Sequence, residues 1–417
     1  MRVLLAHRFF PGHFSHVAQA LAAASDEVVF LHAEGEGLMP GVRRVRVVPR
    51  REPASTTHHY LQPLERGVLL GQAAYGAATG LAARGFEPDV VYAHAGFGIG
   101  LYLKDAFPDI PLLGFFEWYY QARGSDADHF DPFGVGPDDV LRIRTLNAGL
   151  LLELDAVDRG VVPTLFQRGV FPPEFQTKLE VLHDGIDTER FSPAAGPATG
   201  ATPPRARPSW LPPEAEIVLY ATRGLEPYRG FPQFMAAVAR LQPERPRLHA
   251  VVLGADHTFY GHRPPPGRTW KELVLADLPQ LDRDRVHFLE TLPRDDYLTL
   301  LRLADVHVYL TVPFVLSWSL LEAMATGCAI VASDTAPVRE VMADGVEGLL
   351  ADLRDPVAIA RCIARLLDDR ALATKLRTAA RRRVERDYAL SRLLPRQLGL
   401  LRRLAADRGR AAGGRRP

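Results

Sequence analysis

Short apolar runs alternate along this chain with longer segments whose apolar residues recur at helical spacing. In the first half, residues 3–6, 28–31, 45–48, 89–93, 111–116, 160–163 and 178–183 read as strands. Between them, Phe14, Val17, Ala18 and Leu21 fall on one helical face, and 64–84 and 134–158 read as long helices. The alternation resumes with strands at 216–221, 249–253, 286–289, 306–310 and 329–332 and helices at 231–241 and 295–303. Three helices close the pattern, at 356–367, 370–388 and 391–407. Alternating strands and helices imply an α/β fold with mostly parallel sheets covered on both faces. Residues 194–213, rich in Pro, Ala, Gly and Arg, interrupt the periodicity and read as a linker. The expected domains are therefore 1–193 and 214–388, followed by a last helix and a basic tail over 389–417.

Composition changes this picture little. The chain has 417 residues, 47% hydrophobic and 24% charged, with a formal net charge of +1. That suits two globular domains and excludes a general nucleic-acid footprint. Cys328 and Cys362 are spaced neither as a metal motif nor as a disulfide framework. The start, MRVLLAHRFFPGH, makes a poor signal peptide, and no apolar run is long enough to span a bilayer. A cytoplasmic protein is expected, with the tail RGRAAGGRRP offering cations to an anionic membrane surface.

Candidate chemistry collects where strands end, since ligands of parallel sheets lie beyond the carboxyl ends of strands. Gly12 and His13 follow the first strand, His94 ends the fourth, and Glu117 follows the fifth inside the aromatic cluster FEWYY. For Glu117, an ion pair with a nearby arginine such as Arg123 competes with orientation of a substrate. In the second half, TRGLEPYRGF places Arg223 and Arg229 on one Gly/Pro loop, where two guanidinium groups suit a diphosphate. The loop GADHTFYGHRPPPGRTW, with Asp256, is long enough to shape a pocket. The stretch 311–340 reads loop, helix, strand, loop, helix. Its first helix is expected to start at Ser319 and to stop at Gly327. A helix start suits phosphate, through unpaired N–H groups and the helix dipole. Ser319 and Glu322 also have capping-box spacing, which satisfies the same backbone without any ligand. Asp126-Ala-Asp128 and Asp282-Arg-Asp284 match the metal-binding Asp-x-Asp pattern formally but read as chance in loops.

SLLEAMATGC, a strand and then SDTAPVRE together resemble the donor-nucleotide half of the retaining glycosyltransferases of the GT-B fold, family four or group one. DGIDTERFSP, TRGLEPYRGF, PTLFQRGVFP and FFPGHF carry the resemblance into the rest of the chain. It implies two Rossmann-like domains facing across a cleft, with the last helix crossing back onto the first. It implies a nucleoside diphosphate sugar as donor and a glycan, lipid-linked or small-molecule acceptor, with no cofactor and no metal. Glu322 takes the ribose role. The backbone of Ser317, Trp318, Ser319 and Leu320, together with Gly12, Arg223 and Arg229, takes the diphosphate role. His94 and Glu117 join the two arginines as catalytic candidates, and His13, Phe314 and Asp256 face donor sugar or acceptor. Phe314 stands where the family usually has a second, sugar-reading glutamate. That departure keeps open a nucleotide-binding partner protein without turnover. A nucleotide-sugar epimerase is the other alternative, although no clear acid/base pair supports it.

Overall fold

The apolar runs of the first half form seven strands: β1 (Arg2–Ala6), β2 (Glu27–His32), β3 (Val42–Arg46), β4 (Val90–His94), β5 (Leu112–Phe115), β6 (Arg159–Val162) and β7 (Leu179–Val181). They pair in parallel in the order β3-β2-β1-β4-β5-β6-β7. The second half forms β8 (Glu216–Gly224), β9 (Leu248–Ala255), β10 (Val286–Leu289), β11 (Val306–Tyr309), β12 (Ile330–Ser333) and β13 (Leu349–Ala351). These are also parallel, in the order β10-β9-β8-β11-β12-β13. The computed structural model describes residues 1–129, 134–194 and 208–413, with side chains to 407. Most of the expected linker (195–207) and the end of the basic tail lie outside the described residues.

The chain forms two Rossmann-like units. The first comprises Met1–Gln121, Gly136–Gly185 and Ser391–Pro417; the second comprises Ala122–Val135 and Ile186–Leu390. The described residues 122–129 and 134–135 thus group with the second unit.

Central strands are buried along their length, as β4, β11 and β12 show, because helices cover both faces of a parallel sheet. The edge strand β3 reads VRRVR, and its arginines guard an open edge. It lies at Val42–Arg46 rather than at 45–48: Val47 is buried just after it, but Val48 is 64% exposed. Helix Leu390–Gly413 belongs to the first unit, where Leu393, Leu400 and Leu401 join Val3, Leu5 and Phe14 in the core. Gln397 Nε2 donates to the His183 carbonyl, 3.1 Å away, and fixes the helix further. In the second unit, helix Trp318–Thr326 buries Leu320, Leu321, Ala323, Met324 and Ala325 completely. It ends at Gly327, whose φ of +78° is the left-handed conformation that glycine adopts without strain.

Leu401→Ala is expected to cost about 2–5 kcal/mol in chemical denaturation, because it removes fully buried methyl groups. Arg396→Ala, at an exposed position of the same helix, is expected to change stability by no more than about 0.5 kcal/mol.

Candidate active site

In each sheet the strand order reverses once, between β1 and β4 in the first and between β8 and β11 in the second. A parallel sheet opens a crevice at such a point, outside the carboxyl ends of its strands. In the first unit, the loop after β1 carries His7, Gly12 and His13, β4 ends on His94, and Glu117 lies just past β5.

These residues form one network. Glu117 Oε1 lies 3.2 Å from His13 Nε2, and Oε2 lies 3.0 Å from His94 Nε2. His13 Nδ1 lies 3.1 Å from His7 Nε2, and His7 Nδ1 accepts the Phe9 N–H at 2.9 Å. The His7 and His94 rings meet edge to face at 4.4 Å. Gln167 Nε2 donates to the Glu117 carbonyl at 2.7 Å and holds the backbone there. Gly12 has a φ of +51°, and a Cβ on it would lie 2.5 Å from the His7 ring, so any side chain at this position displaces His7.

Burial and the neighbouring His94 and His13 push the His7 pKa down to about 2. Burial likewise lowers His94, although Glu117 opposes it. For His13, burial also works against the charged form, but Glu117, aided by Asp184, wins and raises the pKa to about 9. Burial works against charge on Glu117 as well, yet His13 and His94 bring it well below the usual carboxylate range. The nitrogens of His7, His13 and His94 lie within 4.8 Å of one another. His13 and His94 each turn Nε2 to Glu117, and His7 turns Nδ1 to Phe9.

In the second unit, the loops after β8 and β11 meet through Arg229. It is 8% exposed, and Nη1 donates to Thr311 Oγ1 at 2.7 Å and to the Val315 carbonyl at 3.3 Å. Its guanidinium lies 5.3 Å from the Tyr260 ring centroid and 5.4 Å from that of Phe314. Among the described residues it has no carboxylate partner. Tyr220 Oη donates to the Arg229 carbonyl at 2.7 Å and fixes its backbone. Arg223 stacks on Phe259, at 4.2 Å. Phe314 is buried against Tyr228 and Tyr260, with ring centroids 5.3 and 5.1 Å away.

Helix Trp318–Thr326 begins one residue before the expected Ser319, and Ser317 is its N-cap, accepting the Ser319 N–H at 3.3 Å. The Ser319–Glu322 capping box does not form. Glu322 instead pairs through Oε1 with Arg294 at 2.6 Å, because a buried carboxylate needs a cation more than it needs an exposed backbone donor. Burial raises the Glu322 pKa, and Arg294 opposes that rise. Ser317 N–H donates to Tyr309 Oη at 3.0 Å and Leu320 N–H to the Ser317 carbonyl at 3.3 Å. Leu320 has its side chain wholly in the core.

The pairing of Glu117 with Arg123 is likewise replaced, by the two histidines. Asp126 begins a short helix rather than lying in a loop, and accepts a hydrogen bond from Tyr228 Oη. Asp282 caps the turn Arg283–Arg285 and pairs with Arg285 at 2.7 Å, so it too has a structural occupation. Asp256 lines a cavity of about 210 Å³ together with Leu225, Arg263 and Trp270, and among the described residues its buried Oδ1 has no hydrogen-bond partner. The sequence reading missed His7, Glu226 and Arg294. His7 had a usable signal, as the residue immediately after β1; Arg294 had none, because its partner lies on another helix.

A model of the glycosyl transferase family 4 group matches residues 24–191, and one of the glycosyl transferases group 1 matches residues 204–383. The D-inositol 3-phosphate glycosyltransferase of Salinispora arenicola is 30% identical over 210 residues, which are 49% of this chain and 45% of that protein. The alpha-maltose-1-phosphate synthase of Mycobacterium tuberculosis is 29% identical over 262 residues, which are 57% of this chain and 60% of that protein. The chain thus spans about half the length of the curated relatives it matches. Among solved structures, sucrose-phosphate synthase from Thermosynechococcus elongatus aligns with a TM-score of 0.72 at 18% identity, over 98% of this chain and 100% of that one. Anabaena HepE in complex with UDP-glucose aligns with a TM-score of 0.67 at 15% identity, over 96% and 100%. At these identities the likeness shows the shared fold.

The network makes stability depend on pH with a definite sign. His13, raised from 6.5 to about 9, contributes stability that is fully present below 6.5 and is lost as pH rises toward 9. His7, held down at about 2, and His94 cost stability as pH falls below 6.5, where the unfolded chain binds protons and these buried rings do not. Glu117→Gln is expected to abolish the alkaline loss between pH 6.5 and 9, measured by urea denaturation across that range. An unchanged slope would detach His13 from Glu117.

Proposed function

The chain belongs to the group one glycosyltransferases of family four, which have the GT-B fold, and from that premise we propose that it moves a sugar from a nucleoside diphosphate sugar to an acceptor with retention of anomeric configuration. The second unit would hold the donor, and the first the acceptor: a glycan, a lipid-linked saccharide or a small molecule. The observation that carries this reading is Arg229, a buried guanidinium with no carboxylate partner among the described residues, at the point where the strand order of the second sheet reverses. Such a charge is costly until an anion arrives.

In this reading, Arg229, Arg223 and the positive end of the helix that starts at Trp318 neutralise the departing diphosphate, whose charge grows as the glycosidic bond breaks. Arginine binds phosphate oxygens through paired N–H donors. Glu322, with Oε1 taken by Arg294, turns its other oxygen to the ribose hydroxyls. In the first unit, the Glu117 carboxylate, braced by His13 and His94, accepts a hydrogen bond from the acceptor hydroxyl and orients it. Gly12 lets the backbone of its loop approach the substrates. The arginines supply the charge neutralisation, so no step is assigned to a metal. Phe314 presents an aromatic wall where a carboxylate would read sugar hydroxyls, and this favours one second reading: a nucleotide-binding partner protein without turnover. Diphosphate binding without sugar transfer to any acceptor would select it.

A thermal-shift screen against UDP, GDP, ADP and dTDP is expected to raise the melting temperature with at least one of them, by mass action. Arg229→Ala is expected to weaken that nucleotide by about 10- to 100-fold in calorimetry, through loss of a charge-assisted contact. Unchanged affinity would remove Arg229 from the site. Glu322→Gln is expected to weaken the nucleoside diphosphate more than inorganic pyrophosphate, since only the former has a ribose. Equal losses would return Glu322 to a structural role.

A further inference from the structure

Glu226 lies between Arg223 and Arg229 in TRGLEPYRG and is completely buried. Among the described residues it lies within ion-pair distance of neither guanidinium, although both lower its pKa from afar. Its Oε2 instead accepts the backbone N–H groups of Phe259, at 2.6 Å, and Tyr260, at 2.9 Å, from the segment that leaves the carboxyl end of β9. Its Oε1 is buried without a hydrogen-bond partner among the described residues. Each of the two residues it grips lays a ring against one of the arginines: Phe259 stands on Arg223, and Tyr260 shares Arg229 with Phe314. Gly224 completes the arrangement, since a Cβ there would lie 2.4 Å from the His257 carbonyl and 2.7 Å from the Phe259 ring.

We propose that Glu226 is the positioning residue of the donor site: its carboxylate pins residues 257–260 onto the loop after β8, and so sets an aromatic ring against each diphosphate-binding arginine. The inference rests on the donor reading of Arg223 and Arg229. Its physical basis is the cost of ordering two long side chains. A free arginine pays that cost each time it grips a phosphate, whereas one stacked on a fixed ring has paid it in advance. Using the acid on backbone N–H groups rather than on a guanidinium leaves both cations for the ligand. Burial, countered by those N–H groups and by the arginines, brings Glu226 to about 7, consistent with a group that holds structure more than it supplies charge.

The test combines hydrogen exchange with calorimetry on the full chain, in Glu226→Ala and Glu226→Gln, using whichever of UDP, GDP, ADP or dTDP the wild type binds. In Glu226→Ala, the Phe259 and Tyr260 amides are expected to lose protection while β8 and β9 keep theirs, and affinity for the nucleoside diphosphate is expected to fall about tenfold. Glu226→Gln keeps an acceptor oxygen and is expected to restore both, with affinity within about threefold of wild type. Unchanged protection or affinity in Glu226→Ala would overturn the proposal. So would equal losses in the two variants, which would make the charge, not the hydrogen bonds, the working feature. A wild-type protein that binds none of the four would instead overturn the donor reading, and this is read on the unmutated chain.

Discussion

Taking a guanidinium out of water costs several kcal/mol unless hydrogen bonds or an anion compensate. Arg229 is held in that condition, with a hydroxyl, a carbonyl and two aromatic rings around it and no carboxylate partner among the described residues. Arginine cannot escape by losing its proton. The same contacts join the loops after β8 and β11, so the charge is fixed where the second sheet opens. The helix that starts at Trp318 follows the second of these loops and carries Glu322, paired with Arg294.

The first sheet uses the corresponding place with the opposite polarity. There a carboxylate, Glu117, is the hub, and it draws one imidazole toward charge while burial keeps two others neutral. Three strands must end side by side for this to happen, and β1, β4 and β5 do so only because of their order in the sheet. Gly12 is part of the same constraint, since the His7 ring occupies the space a side chain would need.

Two buried glutamates show how such loops are kept in place. Glu153, on helix Pro137–Ala156, accepts the Gly96 N–H at 2.6 Å and so braces the loop after His94; burial raises its pKa to about 8. Glu226 does the corresponding work in the second unit. Neither acid needs to touch substrate to matter, because a buried acceptor that leaves a backbone donor unpaired is expensive.

By itself, the sequence determined most of the elements and most of the candidate residues, though not helix Trp270–Ala276. Periodicity reports backbone geometry, which is local, so parallel strands, helices and the stop at Gly327 were legible, although the edge strand slipped by a few residues where arginines break the alternation. His94, Glu117, Arg229 and Glu322 were each legible as chemistry at a strand or helix end. Their partners were not. The capping box at Ser319 and the pairing of Glu117 with Arg123 are both inferences from nearness along the chain, and both give way to partners supplied by other elements. Only the tertiary structure decided those pairings, because a buried charge takes the counter-charge that packing brings to it, and packing follows strand order rather than sequence separation.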